Sequence, residues 1–217
     1  MSGSRQALLR TLAQEIGALP QTFPRVAIDG VDGAGKSRFA DDLAVVIRAL
    51  QRPVIRASVD GFHQPRARRY AQGRHSPRGF FMDSYDYAQF KACLLTPLAP
   101  GGSGYYCTAA FDHTLDLPRD LPPQQALPGS ILLCDGIFLH RPELYEDWTF
   151  SIFLAVDFEV SVARCAARDG TSPDPNAPSN HRYVAGQRLY FETCAPAQKA
   201  GVVIDYNDLE NPRIIRP

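Results

Sequence analysis

Eight residues, Gly30-Val31-Asp32-Gly33-Ala34-Gly35-Lys36-Ser37, set glycines, one lysine and one hydroxyl in the spacing G-x-x-x-x-G-K-[ST]. Glycines let a backbone curl until successive N–H groups point at one anion, the lysine adds a point charge at the β- and γ-phosphates of a nucleotide, and the hydroxyl can ligate magnesium. Lysine is scarce in this chain, which holds only Lys36, Lys91 and Lys199, so its presence in a glycine-rich loop is not background. The competing reading is a glycine turn that merely caps a helix. The flanking text favours phosphate: Arg25-Val26-Ala27-Ile28-Asp29 is a β-type run, and Phe39, Leu43, Val46, Ile47 and Leu50 recur at i, i+4, i+7, i+8 and i+11. That order, strand then loop then helix, is the context in which the helix N-terminus adds its positive dipole end to the cradle. Residues Gly30 to Ser37, with Arg38 beside them, are thus expected to bind ATP, with Lys36 on the terminal phosphates and Ser37 on Mg2+.

In a parallel sheet, ligands sit beyond the carboxyl ends of the strands, so carboxylates that close strands are the next candidates. Asp60 follows the run Val54–Val59 and is placed to take the proton of an attacking hydroxyl; a plain Asp-Gly turn with Gly61 is the alternative. Asp135 follows Ile131-Leu132-Leu133-Cys134 and is the matching candidate for the metal, again with an Asp-Gly turn as the alternative. Arg164 and Arg168 fall at i, i+4 on a helix after a buried strand and are candidate lid cations, unless they simply solvate a surface. Arg66, Arg68, Arg69, Arg74 and Arg78 crowd the segment after Asp60, interleaved with His63, Tyr70, His75, Phe80 and Phe81. This segment either lines an acceptor site or solvates a loop; the same mixture also suits single-stranded nucleic acid.

The elements that must position these groups follow from length and pattern. The chain has 217 residues with Lys+Arg and Asp+Glu both 23, which fits one α/β domain and argues against a protein that coats nucleic acid or an anionic membrane. Leu8, Leu12, Ile16 and Leu19 give an amphipathic helix within residues 1–20. Buried-strand runs at Arg25–Asp29, Val54–Val59, Ile131–Cys134, Thr149–Val156 and Val202–Ile204 predict a five-stranded parallel sheet in a three-layer α/β/α P-loop NTPase fold. Residues 62–104, rich in Arg, Pro, Gly and aromatics, read as an insertion over the active face with a helix at Tyr87–Leu95; a helix at Val160–Arg168 begins a lid over residues 164–188. The five cysteines, odd in number and widely spaced, fit reduced thiols in the cytoplasm; no run reaches membrane-spanning length, and the opening residues do not read as a secretory signal.

At this point the chain resembles the uridine kinase and phosphoribulokinase group of P-loop kinases, which also includes type I pantothenate kinases. The resemblance runs from about Arg25 to Asp208 and rests on Gly30–Ser37, Asp60-Gly61-Phe62-His63, Phe81–Asp86, Asp135-Gly136, Arg164 with Arg168-Asp169, and Gly201–Asp208. It implies an ATP- and Mg2+-dependent kinase of a nucleoside-like acceptor, in which Asp60 is the base, Asp83 holds sugar hydroxyls and Arg164 and Arg168 are lid cations. It further implies that Phe62, His63, Tyr70, Arg182, Tyr183 and Gln187 lie on the substrate or lid side, and that the protein forms homo-oligomers as the family often does. The chain departs from uridine kinases in two places. Asp135 stands where they usually carry Glu, and Ala110-Phe111-Asp112-His113 stands where they carry a Tyr-Asp-Phe segment with a following His that reads the base, so Asp112 is the nearest counterpart. Pantothenate and simple sugars therefore remain open as acceptors.

Overall fold

The computed structural model describes residues 2–217, so Met1 lies outside it. Six strands form the main sheet: β1 (Arg25–Gly30), β2 (Val54–Ser58), β3 (Ile131–Gly136), β4 (Phe150–Ala155), β5 (Val202–Asp205) and β6 (Arg213–Arg216). Their spatial order is β6-β5-β4-β1-β3-β2. All neighbours are parallel except β6, which runs antiparallel to β5. The five parallel strands are those expected from the sequence; the sixth corrects that count. Ile214 and Ile215 are too few to read as a buried run and both are exposed, because an edge strand needs only one partner for its backbone.

Five longer helices flank the sheet: α1 (Gly3–Gly17), α2 (Lys36–Ala49), α3 (Pro77–Asp83), α4 (Phe158–Asp169) and α5 (His181–Cys194). Alternation along the strands divides the core in two. Val26, Ile28, Ile131, Leu133, Ile152 and Leu154 face α1 and α2 on one side. Ala27, Leu132, Cys134, Ile55 and Ala57 face Phe80, Phe81, Phe90 and Tyr190 on the other, which belong to the insertion and α5. The insertion extends past its expected end at 104, through short antiparallel pairs that join Tyr105–Tyr106 to Gln124–Gln125 and Phe111–Asp112 to Leu117–Pro118. It also contains α3, which aperiodic sequence hides although Ser76 caps it and Pro77 occupies its first turn. The predicted helix at Tyr87–Leu95 is present, but after Phe90 it widens into a π-type turn over Lys91–Leu95.

Candidate active site

The loop between β1 and α2 has the left-handed backbone its glycines permit, with φ of 75° at Gly33 and 88° at Gly35. A Cβ on Gly33 would collide with the backbone oxygen of Ser161 on α4, so this glycine also allows the close approach of that helix. Gly35 stands directly before α2 and leaves the first N–H groups of that helix without a side-chain cap, as a site for an anion requires. Lys36 donates from Nζ to the Val31 carbonyl at 2.8 Å, across the mouth of the loop. Val31 is buried, and Arg38 lies at the exposed rim, 3.9 Å from Glu210.

Ser37 Oγ donates to Asp135 Oδ2 at 2.7 Å. The other carboxylate oxygen accepts from Arg56 on β2 at 2.8 Å, and Arg56 is itself held by Asp41 at 2.9 Å. Register explains the convergence: Ser58 and Ile28 lie opposite Asp135, so β2, β3 and β1 end together beneath the loop. Arg56 carried no signal in the sequence, since an arginine inside a strand run looks like a surface residue. No group of three or more His, Cys, Asp or Glu among the described residues is arranged to hold a metal. Ser37 and Asp135 therefore suit a magnesium ion that takes the rest of its oxygen ligands from phosphates and water, which is the usual habit of that ion.

Asp60 lies in a tight turn, Val59–Phe62, after β2 and is exposed at the same cleft. Tyr85 donates its hydroxyl to Asp60 Oδ1 at 2.8 Å, and His63 Nδ1 lies 2.8 Å from the Asp60 carbonyl. Burial and the neighbouring Asp60 push the Tyr85 hydroxyl well above its ordinary range, so it stays a donor. His63 lies between Tyr85 and His113, tilted to the first and stacked on the second, with ring centroids 4.6 Å away in each case, and burial lowers its pKa. Lys36, Ser37, Asp60, Asp135 and Arg168 line one cleft of about 350 Å³ together with the loop. A second cleft of about 320 Å³ opens between α4 and α5 and shares Asp32 and Arg168 with the first.

The remaining expected site residues have varied surroundings. Phe62 is turned into the core, packed on Phe90 at 5.0 Å between ring centroids, because a residue beside a turn at a strand end has a buried face to fill. Asp112 accepts the amides of Thr114 and Leu115, both at 3.0 Å, and those bonds hold its carboxyl below the usual range. Its side chain therefore closes the hairpin turn. Gln187 accepts the Asp32 amide at 2.6 Å and donates to the Tyr183 carbonyl at 3.0 Å, so it grips the loop itself. Arg182 is buried against Tyr70 and Phe80 and donates to the Arg74 carbonyl at 2.7 Å. Asp83 accepts from Gln72 at 2.7 Å. The two arginines of α4 part company. Arg164 donates to the carbonyls of Asn207 at 2.6 Å, Tyr206 at 3.2 Å and Ala34 at 3.4 Å, binding α4 to the loop and to the end of β5. Arg168 holds only its neighbour Asp169, at 2.7 and 2.8 Å, and is exposed over both clefts.

Beneath the loop lies a network that periodicity cannot reveal. Asp29, fully buried, accepts the amides of Gly30 at 2.7 Å and Leu139 at 3.1 Å, the His140 ring at 2.7 Å, and the Tyr190 hydroxyl. Tyr190 in turn accepts the His140 amide at 2.9 Å. Only the carboxylate in an otherwise apolar strand hinted at it.

Comparison with known proteins is consistent at the level of fold. No family model matches the sequence, and no curated protein is a significant match to it. Solved structures do match. A structure described as a possible uridine kinase from Bacillus stearothermophilus superposes with a TM-score of 0.71 at 20% identity, covering 91% of this chain and 97% of that one. A candidate fructose transport system kinase from Silicibacter sp. TM1040 gives 0.68 at 22% identity, covering 85% and 94%. Phosphoribulokinase from Rhodobacter spheroides gives 0.58 at 14% identity, covering 85% and 70%. The chain has the fold of these P-loop kinases.

Proposed function

We propose that this protein is an ATP- and magnesium-dependent kinase that phosphorylates a hydroxyl of a small metabolite. The observation that carries the reading is the meeting, in one cleft, of the glycine cradle with Lys36, the Ser37–Asp135 pair and the exposed carboxylate of Asp60. Lys36 leaves the Val31 carbonyl for the terminal phosphates, while the loop amides hold the chain of phosphates in place. Tyr85 occupies Asp60 Oδ1 and so leaves the second oxygen for the acceptor hydroxyl. Phosphoryl transfer is loose, so a carboxylate of ordinary strength suffices to take that proton late in the reaction. Arg168, exposed and held only by Asp169, is the cation suited to follow charge onto the phosphoryl group. Magnesium held by Ser37 and Asp135, directly or through water, would supply neutralisation of the β- and γ-oxygens.

The leading acceptor is a nucleoside such as uridine, supported by the motif resemblance and by the aromatic wall of His63, Tyr85 and His113 beside Asp60. One observation favours a second reading, a sugar or pantothenate: Asp112, the counterpart of the base-reading segment, has one carboxylate oxygen bound to the two amides of its own turn. Reduced cysteines suit a cytoplasmic enzyme, and no helix is long and apolar enough to cross a membrane. Incubation with labelled ATP and a panel of nucleosides, pantothenate and simple sugars, with products identified by mass, decides between the acceptors. Turnover of ATP that no acceptor stimulates and that survives Asp60→Ala would refute the kinase reading.

A further inference from the structure

Asp32 is the third residue of the phosphate loop, and its position there is costly. A carboxylate beside bound phosphates repels them unless something offsets its charge. Yet the side chain of Asp32 takes part in no hydrogen bond or ion pair among the described residues; only its amide is engaged, with Gln187. The two cations nearest to it are committed elsewhere, Lys36 to the Val31 carbonyl and Arg168 to Asp169. Asp32 also stands at the seam of the site, since it and Arg168 are the residues that line both the cradle cleft and the cleft between α4 and α5. Asp60 is close enough to help burial raise the Asp32 carboxyl above its ordinary value. Two carboxylates thus face the same space. Tyr85 satisfies one oxygen of Asp60, whereas neither oxygen of Asp32 has a donor.

A partly desolvated acceptor-only group beside the attacking position selects ligands that bring it a donor. A cation would do so, but the pair Ser37 and Asp135 already provides a site for magnesium in the cradle cleft. A neutral donor adds no charge next to the phosphates and leaves Lys36 and Arg168 free for them. We propose that Asp32 is a specificity residue that accepts a hydrogen bond from a second hydroxyl of the acceptor, one that neighbours the hydroxyl activated by Asp60. The acceptor is then a polyhydroxylated molecule, of the ribose or sugar class, and not a simple alcohol. This inference rests on the kinase reading above and narrows its substrate class.

The test uses the full chain, wild type and Asp32→Asn and Asp32→Ala variants, each checked for folding by circular dichroism. With the best acceptor of the panel, kcat/KM is measured for the parent compound and for analogues that each lack one hydroxyl, for instance uridine against its 2'-deoxy and 3'-deoxy forms. The expected result is a loss of about 10- to 100-fold when one particular hydroxyl is removed from the wild-type reaction, and almost no further loss from that removal in Asp32→Ala. Asp32→Asn, which keeps an acceptor oxygen, falls between. Losses that simply multiply for every analogue would overturn the proposal, as would a change confined to the magnesium dependence of nucleotide binding, which would put Asp32 in the metal shell. Wild-type protein that binds ATP but phosphorylates no alcohol would overturn the kinase reading itself, an outcome visible before any variant is made.

Discussion

At Asp60 the proposed reaction divides two jobs between neighbours: the carboxylate would meet the acceptor, and Tyr85 fixes its orientation through a 2.8 Å bond. Replacing Asp60 with Asn keeps the shape and removes the base, so product formation should drop by about 10²- to 10⁴-fold, while a fluorescent nucleotide still binds. Tyr85→Phe removes only the orienting donor and should cost about 10-fold or less in kcat, with nucleotide affinity unaltered. His63 gives a pH signature. Burial holds its pKa below the ordinary 6.5, so the folded protein carries it neutral. As pH falls through 6.5 the unfolded chain takes up the proton first, and stability is lost from that point down to the folded value. Urea midpoints at about pH 7.5 and about pH 5.5 should therefore diverge more for wild type than for His63→Asn, and equal shifts would remove His63 from the account.

Between elements, the decisive contacts are those that α5 makes with the first half of the phosphate loop and the residue before it. Tyr190 reaches Asp29 below the loop and Gln187 receives the Asp32 amide within it, so one helix face sets the entry of the loop at two points. Tyr190→Phe strips a donor from a buried carboxylate and an acceptor from the His140 amide, and should lower unfolding stability by about 1–3 kcal/mol in denaturant titration. Gly33→Ala should abolish nucleotide binding, because the added methyl meets the Ser161 backbone in a conformation that already disfavours any side chain. These long-range contacts mark the limit of what sequence discloses. The strands of the parallel sheet were legible because buried strands are mostly apolar, and the cradle because its glycines and lysine keep a fixed spacing. Helix α3 was announced by Ser76-Pro77 and missed for want of periodicity. The directions of Phe62 and Asp112 were not legible, because a side chain at a strand end or in a hairpin has several directions open to it and only packing chooses among them.

Across the whole molecule, equal numbers of cations and anions leave no large field to gather nucleic acid, and the charges instead work locally. Arg5 secures α1 to Asp42 of α2 and to the Leu209 carbonyl after β5, Arg164 joins α4 to the loop, and Arg141 donates to the Phe81 carbonyl of the insertion. Arg168 differs from these in holding only its neighbour Asp169 while it lies exposed at the clefts. The most direct test of the whole account is acceptor-dependent transfer of label from γ-labelled ATP by the purified wild-type chain, run beside Lys36→Ala and Asp60→Ala. A labelled monophosphate ester made only by wild type, with nucleotide still bound by Asp60→Ala, is the predicted result. Label released solely as inorganic phosphate, at a rate that ignores both the acceptor and the loss of Asp60, would contradict it.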